Sequence, residues 1–242
     1  MLKHKITGVI LAGGASKRMG RSKAQLQLGD KRMIEWIVTA LDCLFDEIIV
    51  VTHHPQTFST LENVRFVQDA IESKTRSSLV GLYTGLLHSS NETVFVVPCD
   101  MPLLNRALIE HMISLLEGED VRVPVIGQHF QPLHAFYRKS CLSPIKQSID
   151  CGAFKVTVFY DEVLVRTVDE ATVRSFDREL WCFTNINSEA DYLQAKELWK
   201  TSAGSWMRQW SDANCMNMKR GKQDVKHRSA HHSQRKRQNS YI

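Results

Sequence analysis

The strongest constraint on this chain is an alternation of two periodicities. Short apolar runs rich in Val and Ile recur at residues 6–12, 47–52, 64–67, 93–97 and 121–125, each bounded by polar or turn residues. Continuous apolar runs of that length fit strands covered on both faces. Between them, residues 33–44, 78–88 and 105–116 carry apolar side chains at helical spacing. This order predicts an α/β fold, a doubly wound, mostly parallel Rossmann-like sheet with helices on both faces. Past residue 125 the alternation loosens. The C-terminal half is expected to hold a small antiparallel excursion over 129–138, a helix over 140–150 and a strand over 163–168. A last helix over 188–200 is expected to have Ser188 as N-cap and Glu189 and Asp191 in its first turn.

Residues 1–200 read as one domain, long enough to bury a substantial core. The net charge of +5 is unevenly placed: residues 201–242 hold nine Lys/Arg against Asp212 and Asp224, leaving the body slightly acidic. That argues against a nucleic-acid-binding face built into the domain and assigns any weak polyanion affinity to the tail. The tail lacks periodicity and is expected to be disordered. The first apolar run stops at Gly13-Gly14, too short to span a bilayer and unlike a secretory leader, so a cytoplasmic protein without membrane contact is expected. The six cysteines are scattered without metal-ligand spacing and read as free thiols.

The chemistry concentrates at the ends of strands. Leu11-Ala-Gly-Gly-Ala-Ser-Lys-Arg-Met-Gly-Arg-Ser-Lys23 leaves the first strand and precedes the first long helix. Gly13 and Gly14 lack Cβ atoms, so their N–H groups can approach phosphate oxygens, while Lys17, Arg18, Arg21 and Lys23 supply positive charge. The loop is neither GxxxxGK[ST] nor GxGxxG, which weighs against kinase-type and dinucleotide-binding readings. Lys23 is the foremost triphosphate ligand and Arg18 the foremost candidate for transition-state charge; Lys17 and Arg21 fit solvated positions as well.

Strand 93–97 runs into Pro98-Cys99-Asp100-Met101-Pro102, which sets Asp100 on the same sheet edge. A carboxylate there can hold magnesium, which commonly takes one or two protein carboxylates and completes its shell with water and phosphate oxygens. Asp100 could instead cap the next helix, but the glycine loop favours the metal role. Asp69 follows the third strand to the same edge, either as a hydrogen-bond acceptor for a base or ribose or as a turn residue.

With these motifs the chain resembles the molybdenum cofactor guanylyltransferase family, whose pattern is L-A-G-G-x-S-x-R-M-G-x-x-K, P-C-D-x-P and a terminal N-I-N before an acidic helix start. Here these read Leu11 to Lys23, Pro98 to Pro102, and Asn185-Ile186-Asn187-Ser188-Glu189. The resemblance covers roughly residues 6–200. It implies transfer of GMP from GTP to a molybdenum-bound molybdopterin, with magnesium as cofactor and pyrophosphate as product. It places GTP on Leu11, Ala12, Gly13 and Lys23, the guanosine on Asp69 and the metal on Asp100, with Asn185 and Asn187 on the pterin side. It also implies transient contact with molybdenum cofactor biosynthesis proteins or acceptor enzymes. Where the family has a loop ending P-L-A-G, residues 71–81 retain Leu79 and Gly81, and Gly81 is carried over as an acceptor contact. Where the family often has Asn after the second strand, this chain has Thr52-His53-His54-Pro55. Cytidylyl and sugar-phosphate nucleotidyl transfer on the same fold, and a non-catalytic nucleotide-binding module, are the alternatives.

Overall fold

The computed structural model describes residues 3–13, 25–71 and 77–200. Its axis is β1 (His4–Leu11), which pairs in parallel with β4 (Phe45–Val51) on one side and with β6 (Thr93–Pro98) on the other. Strand β4 pairs in parallel with β5 (Arg65–Val67). Beyond β6 lies β9 (Ala135–Arg138), antiparallel to β6 and to the next strand, β7 (Val121–Ile126). At the far edge β10 (Val165–Val168) pairs in parallel with β7, and β8 (His129–Phe130) folds back on the end of β7. The strand order is therefore β10-β7-β9-β6-β1-β4-β5. A mostly parallel sheet in which β8 and β9 are inverted matches the expected architecture with a small antiparallel excursion.

Alternate strand residues feed two cores. Ile10, Val50, Phe95, Val97 and Phe136 point to one face, which α1 (Met33–Leu44), α3 (Arg106–Ser114), α5 (Glu170–Phe176) and α6 (Glu189–Lys200) cover. Val9, Ile49, Val94, Val96 and Tyr137 point to the other, covered by α2 (Ser78–His88) and α4 (Leu142–Asp150). Burial on both faces explains why the strands read as continuous apolar runs.

Helix ends follow local chemistry. Helix α1 opens with Glu35 accepting from the Arg32 N–H at 2.6 Å. Asn105 caps α3 by accepting from the Leu108 N–H at 3.0 Å, so the helix begins one residue later than its periodicity implies. Before α6, the Ser188 hydroxyl accepts from the Asp191 N–H, and Asp191 accepts from the Ser188 N–H at 2.8 Å, a reciprocal cap on the expected residue.

Two elements differ from the sequence reading. A hairpin of β2 (Gln27–Leu28) and β3 (Lys31–Arg32) precedes α1, and α5 follows β10. Two-residue strands carry no periodicity, and seven residues make barely two helical turns; the legible trace of α5 is Asp169, which accepts from the Thr172 N–H at 2.8 Å. Among the described residues Cys99, Cys141, Cys151 and Cys182 are free thiols, as expected for those four. Among the described residues no helix is long and apolar enough to cross a membrane. The expected tail, 201–242, lies outside the described residues.

Candidate active site

The chain runs from β1 outward through β4 to β5, then returns to the opposite side of β1 to lay down β6. The crevice at the carboxyl ends of β1 and β6 is thus the topological switch point where open α/β sheets bind ligands. Backbone hydrogen bonds continue past the strand ends and fix the loops there. The Ala12 N–H donates to the Val51 carbonyl at 2.9 Å, the Cys99 N–H to the Leu11 carbonyl at 3.0 Å, and the Thr52 N–H to the Val67 carbonyl at 2.9 Å.

A cavity of about 350 Å³ opens at this edge. It collects Leu11, Gly13, Asp69, Gly81, Asp100, Asn185 and Asn187 from five separate segments of the chain. Seven of the residues singled out from sequence therefore meet in one place. Ala12 packs instead against the core beside them, contributing its backbone to the loop. Gly14, Lys17, Arg18, Arg21 and Lys23 lie outside the described residues.

Each wall has a local cause. The N-I-N segment alternates: Ile186 is fully buried in the core, while its exposed neighbours Asn185 and Asn187 border the cavity. The Ile186 N–H donates to the Asp100 carbonyl at 2.8 Å, so one plug and one hydrogen bond seat both amides beside the metal-candidate carboxylate.

Helix α2 directs its first turn at the cavity, which Ser77, Ser78 and Gly81 border. Ser77 caps it, accepting from the Val80 N–H at 3.2 Å. The helix lies close on β1 because Gly85 and Gly81 face it. A Cβ on Gly85 would sit 2.5 Å from Val9 Cγ1, and one on Gly81 would sit 3.0 Å from Leu11 Cδ2. Gly81 thus has a packing role as well as a cavity-lining one. The N-terminus of an α-helix carries partial positive charge, so this wall favours anions.

Asp69 is held from two sides. His53 Nε2 lies 2.8 Å from its Oδ2, and the following Ala70 N–H donates to Thr84 Oγ1 at 3.0 Å. His53 has no assigned role in the sequence reading; its position two residues beyond β4, at the same sheet edge as Asp69, is the signal that could have paired them. Leu133, Val51, Ser77 and Ser78 are further lining residues that sequence reasoning missed.

Next to Leu133, His134 is fully buried and neither ring nitrogen has a hydrogen-bond partner. Its ring packs edge-on against Phe95 at 5.1 Å and Phe183 at 5.0 Å, and burial pushes its pKa down to about 3. It is therefore a neutral, structural ring near neutral pH.

Among the described residues no group of three or more His, Cys, Asp or Glu side chains converges as a metal cage. One carboxylate such as Asp100 at the cavity edge is enough to fit a hard divalent cation, because such ions take one or two protein carboxylates and complete their shell with water and substrate oxygens.

Residues 8–163 match the family of MobA-like NTP transferase domains. A probable molybdenum cofactor guanylyltransferase of Natranaerobius thermophilus is 38% identical over 79% of this chain and 95% of its own length. One of Pelotomaculum thermopropionicum is 36% identical over 81% of this chain and 94% of its own. In the crystal structure of molybdopterin-guanine dinucleotide biosynthesis protein A from Archaeoglobus fulgidus, the fold superposes with a TM-score of 0.69 at 26% identity, covering 80% of this chain and 98% of that one. Matched by the family model over residues 8–163, and with relatives 38% and 36% identical across most of its length, the chain belongs to the MobA-like NTP transferase family.

Proposed function

We propose that this protein is a molybdenum cofactor guanylyltransferase that transfers GMP from GTP to the terminal phosphate of a molybdenum-loaded molybdopterin, releasing pyrophosphate. The observation that carries the reading is the convergence of Gly13, Asp69, Asp100, Asn185 and Asn187 on one cavity at the switch point. The likeness to relatives bearing that name, over 79% and 81% of this chain and 95% and 94% of theirs, supports the same substrates. Magnesium is the proposed cofactor and the cytoplasm the proposed location, with residues 1–200 as the catalytic unit and 201–242 as a dispensable basic extension. Transient contact with other molybdenum cofactor biosynthesis proteins or acceptor enzymes goes with that place in cofactor assembly.

In such transfers an oxygen of the acceptor phosphate bonds to the α-phosphorus as the bond to the β-phosphate oxygen breaks. The attacking phosphate is already ionised near neutral pH and needs no general base, which leaves His53, His54 and His134 without that duty. Catalysis then rests on positioning and charge neutralisation. Gly13 offers backbone without a side chain to the phosphates, Lys23 and Arg18 supply cations, and the N-terminus of α2 adds a dipole. Asp100 would hold the divalent cation, which when bound would supply positive charge against the phosphates. Asp69 accepts from the guanosine, and Asn185 and Asn187 orient the acceptor together with Gly81, which also keeps α2 close against Leu11.

The test is the fate of label: with GTP labelled at the α-phosphorus, the label should move to the pterin product, and label at the γ-phosphorus should leave as pyrophosphate. Release of γ-label as orthophosphate would contradict the assignment.

A further inference from the structure

The sheet sets the lateral order of the residues around the cavity. Across β5, β4, β1, β6 and β9 the strand ends bring Asp69, Val51, Leu11 with Gly13, Asp100 and Leu133 to it. Neighbouring strands lie about 4.8 Å apart, so Asp69 and Leu133 stand at opposite ends of a row roughly 19 Å long. The strand that leads to Asp100 is the immediate neighbour of the strand that Leu133 precedes.

Leu133 reaches that end through a tight turn. Strand β9 is antiparallel to β6 with Ala135 opposite Val96, so the residues before Ala135 project past the carboxyl end of β6. Gln131-Pro132-Leu133-His134 closes on itself, the His134 N–H donating to the Gln131 carbonyl at 3.0 Å, while the Gln131 N–H donates to the Pro124 carbonyl at 2.8 Å. Proline in the second position presets the φ that such a turn needs. Leu133, in the third, is half-buried against the core on the α2 side and borders the cavity.

A pair of tyrosines supports the turn from beneath. The Tyr137 hydroxyl donates to the Pro132 carbonyl at 2.7 Å and lies 2.8 Å from the Tyr160 hydroxyl, which is left as the donor within the pair. Both rings are buried, and burial pushes both phenols up, so their protons stay in place near neutral pH. Phe130 covers the outer side, its ring edge-on to Tyr160 with centroids 5.2 Å apart. The hydroxyls add nothing to the apolar packing around them; what they reach is the carbonyl next to Leu133.

Resting on the nucleotidyl-transfer reading, we propose that Leu133 is an apolar wall for the acceptor and that Tyr137, backed by Tyr160, is the positioning residue that holds the wall in place. With the guanosine at Asp69 and the metal at Asp100, the β9 end of the row is left to the acceptor. A flat fused-ring acceptor can lay a face on this wall, whereas a sugar phosphate would set hydroxyls against a side chain that cannot bond them.

The experiment uses the full chain. Pyrophosphate release is followed with molybdenum-loaded molybdopterin varied at saturating GTP and then with GTP varied at saturating acceptor, alongside the thermal midpoint. Leu133→Ala should raise the acceptor KM about tenfold and leave the KM for GTP unmoved, and Leu133→Met should restore most of the loss. Tyr137→Phe, which leaves the Pro132 carbonyl without its donor, should raise the acceptor KM about three- to tenfold, the worth of one hydrogen bond. Tyr160→Phe also removes a buried hydroxyl but leaves the bond to Pro132 in place, so it should raise the acceptor KM less. A residue that acts through Leu133 has nothing left to position once the wall is gone, so the double variant Leu133→Ala/Tyr137→Phe should match Leu133→Ala alone. Multiplied effects in the double variant would overturn the positioning role of Tyr137. An unmoved acceptor KM in Leu133→Ala, or a rise in the KM for GTP in its place, would overturn the wall. If Tyr137→Phe does not fold, Leu133→Ala and Leu133→Met decide. A wild type that neither binds GTP nor releases pyrophosphate would overturn the transfer reading and the wall with it; an active wild type with a native acceptor KM in both Leu133→Ala and Tyr137→Phe overturns the wall alone.

Discussion

The Ile186 backbone N–H donates to the Asp100 carbonyl oxygen at 2.8 Å, tying the N-I-N segment to the loop that ends β6. The side chain of Ile186 is fully buried, so the segment is pinned by a plug and a hydrogen bond together. Ile186→Ala should cost about 2–5 kcal/mol of stability by opening a cavity in the core. Because the same residue seats Asn185 and Asn187, the acceptor KM should rise in the fraction that remains folded. Chemical denaturation and steady-state kinetics on one preparation check both; a destabilised enzyme with native acceptor KM would separate the plug from the site.

His53 and Asp69 form the second such pair. Asp69 borders the cavity with its Oδ2 engaged by His53, so the imidazole holds the carboxylate in place there. His53→Ala should raise the KM for GTP by about tenfold while changing kcat less, and His53→Asn, which keeps a donor, should recover part of the loss. Equal KM values in the wild type and His53→Ala would remove His53 from nucleotide binding.

The close approach of α2 to β1 has a sharp steric signature. Gly85→Ala should lower stability by about 1–3 kcal/mol, since the new methyl would lie 2.5 Å from Val9, whose branched side chain has little freedom to yield. Gly81→Ala presses on Leu11 with a milder clash, so the thermal midpoint should fall less than for Gly85→Ala while GTP binding falls more.

His134 gives the protein an acid limit. Its pKa is pushed by burial from an ordinary 6.5 to about 3, so below pH 6.5 the unfolded chain takes up a proton that the folded one refuses. Stability from this group is fully present above pH 6.5 and is lost as pH falls from there toward 3, at about 1.4 kcal/mol per pH unit. His134→Leu, which also removes two unpartnered ring nitrogens, should flatten that slope by about one proton when unfolding is measured from pH 7 to pH 4. An unaltered slope would exclude His134 as its source.

Deleting residues 201–242 should leave transfer and the thermal midpoint close to those of the full chain. Loss of either on truncation would extend the functional unit beyond residue 200.

What the sequence disclosed follows from how the fold uses it. Strands β1, β4 and β6 are buried on both faces, so their apolar runs stand out, and Gly13 and Asp100 just past β1 and β6, with Asp69 just past β5, fall at one sheet edge from sequence order alone. Helix α1 shows its apolar stripe over its full length. The hairpin at Gln27 and Lys31 escaped notice because each strand is two residues long and carries no periodic signature, and part of its clamp comes from Trp199, far away in sequence. His53 escaped for a related reason: its partner lies across a crossover, and nothing in Thr52-His53-His54 betrays a carboxylate 2.8 Å away. The N-I-N motif was legible as a motif, but its attachment to Asp100 runs through a backbone N–H and has no side-chain signature.

The decisive measurement is pyrophosphate release with molybdenum-loaded molybdopterin and magnesium, run in parallel with GTP and CTP on the wild type and Asp100→Ala. Release with GTP that exceeds release with CTP by at least tenfold and vanishes in Asp100→Ala is the expected result. Release that prefers CTP would overturn the guanine assignment, and release that survives in Asp100→Ala would contradict the site built here around that carboxylate.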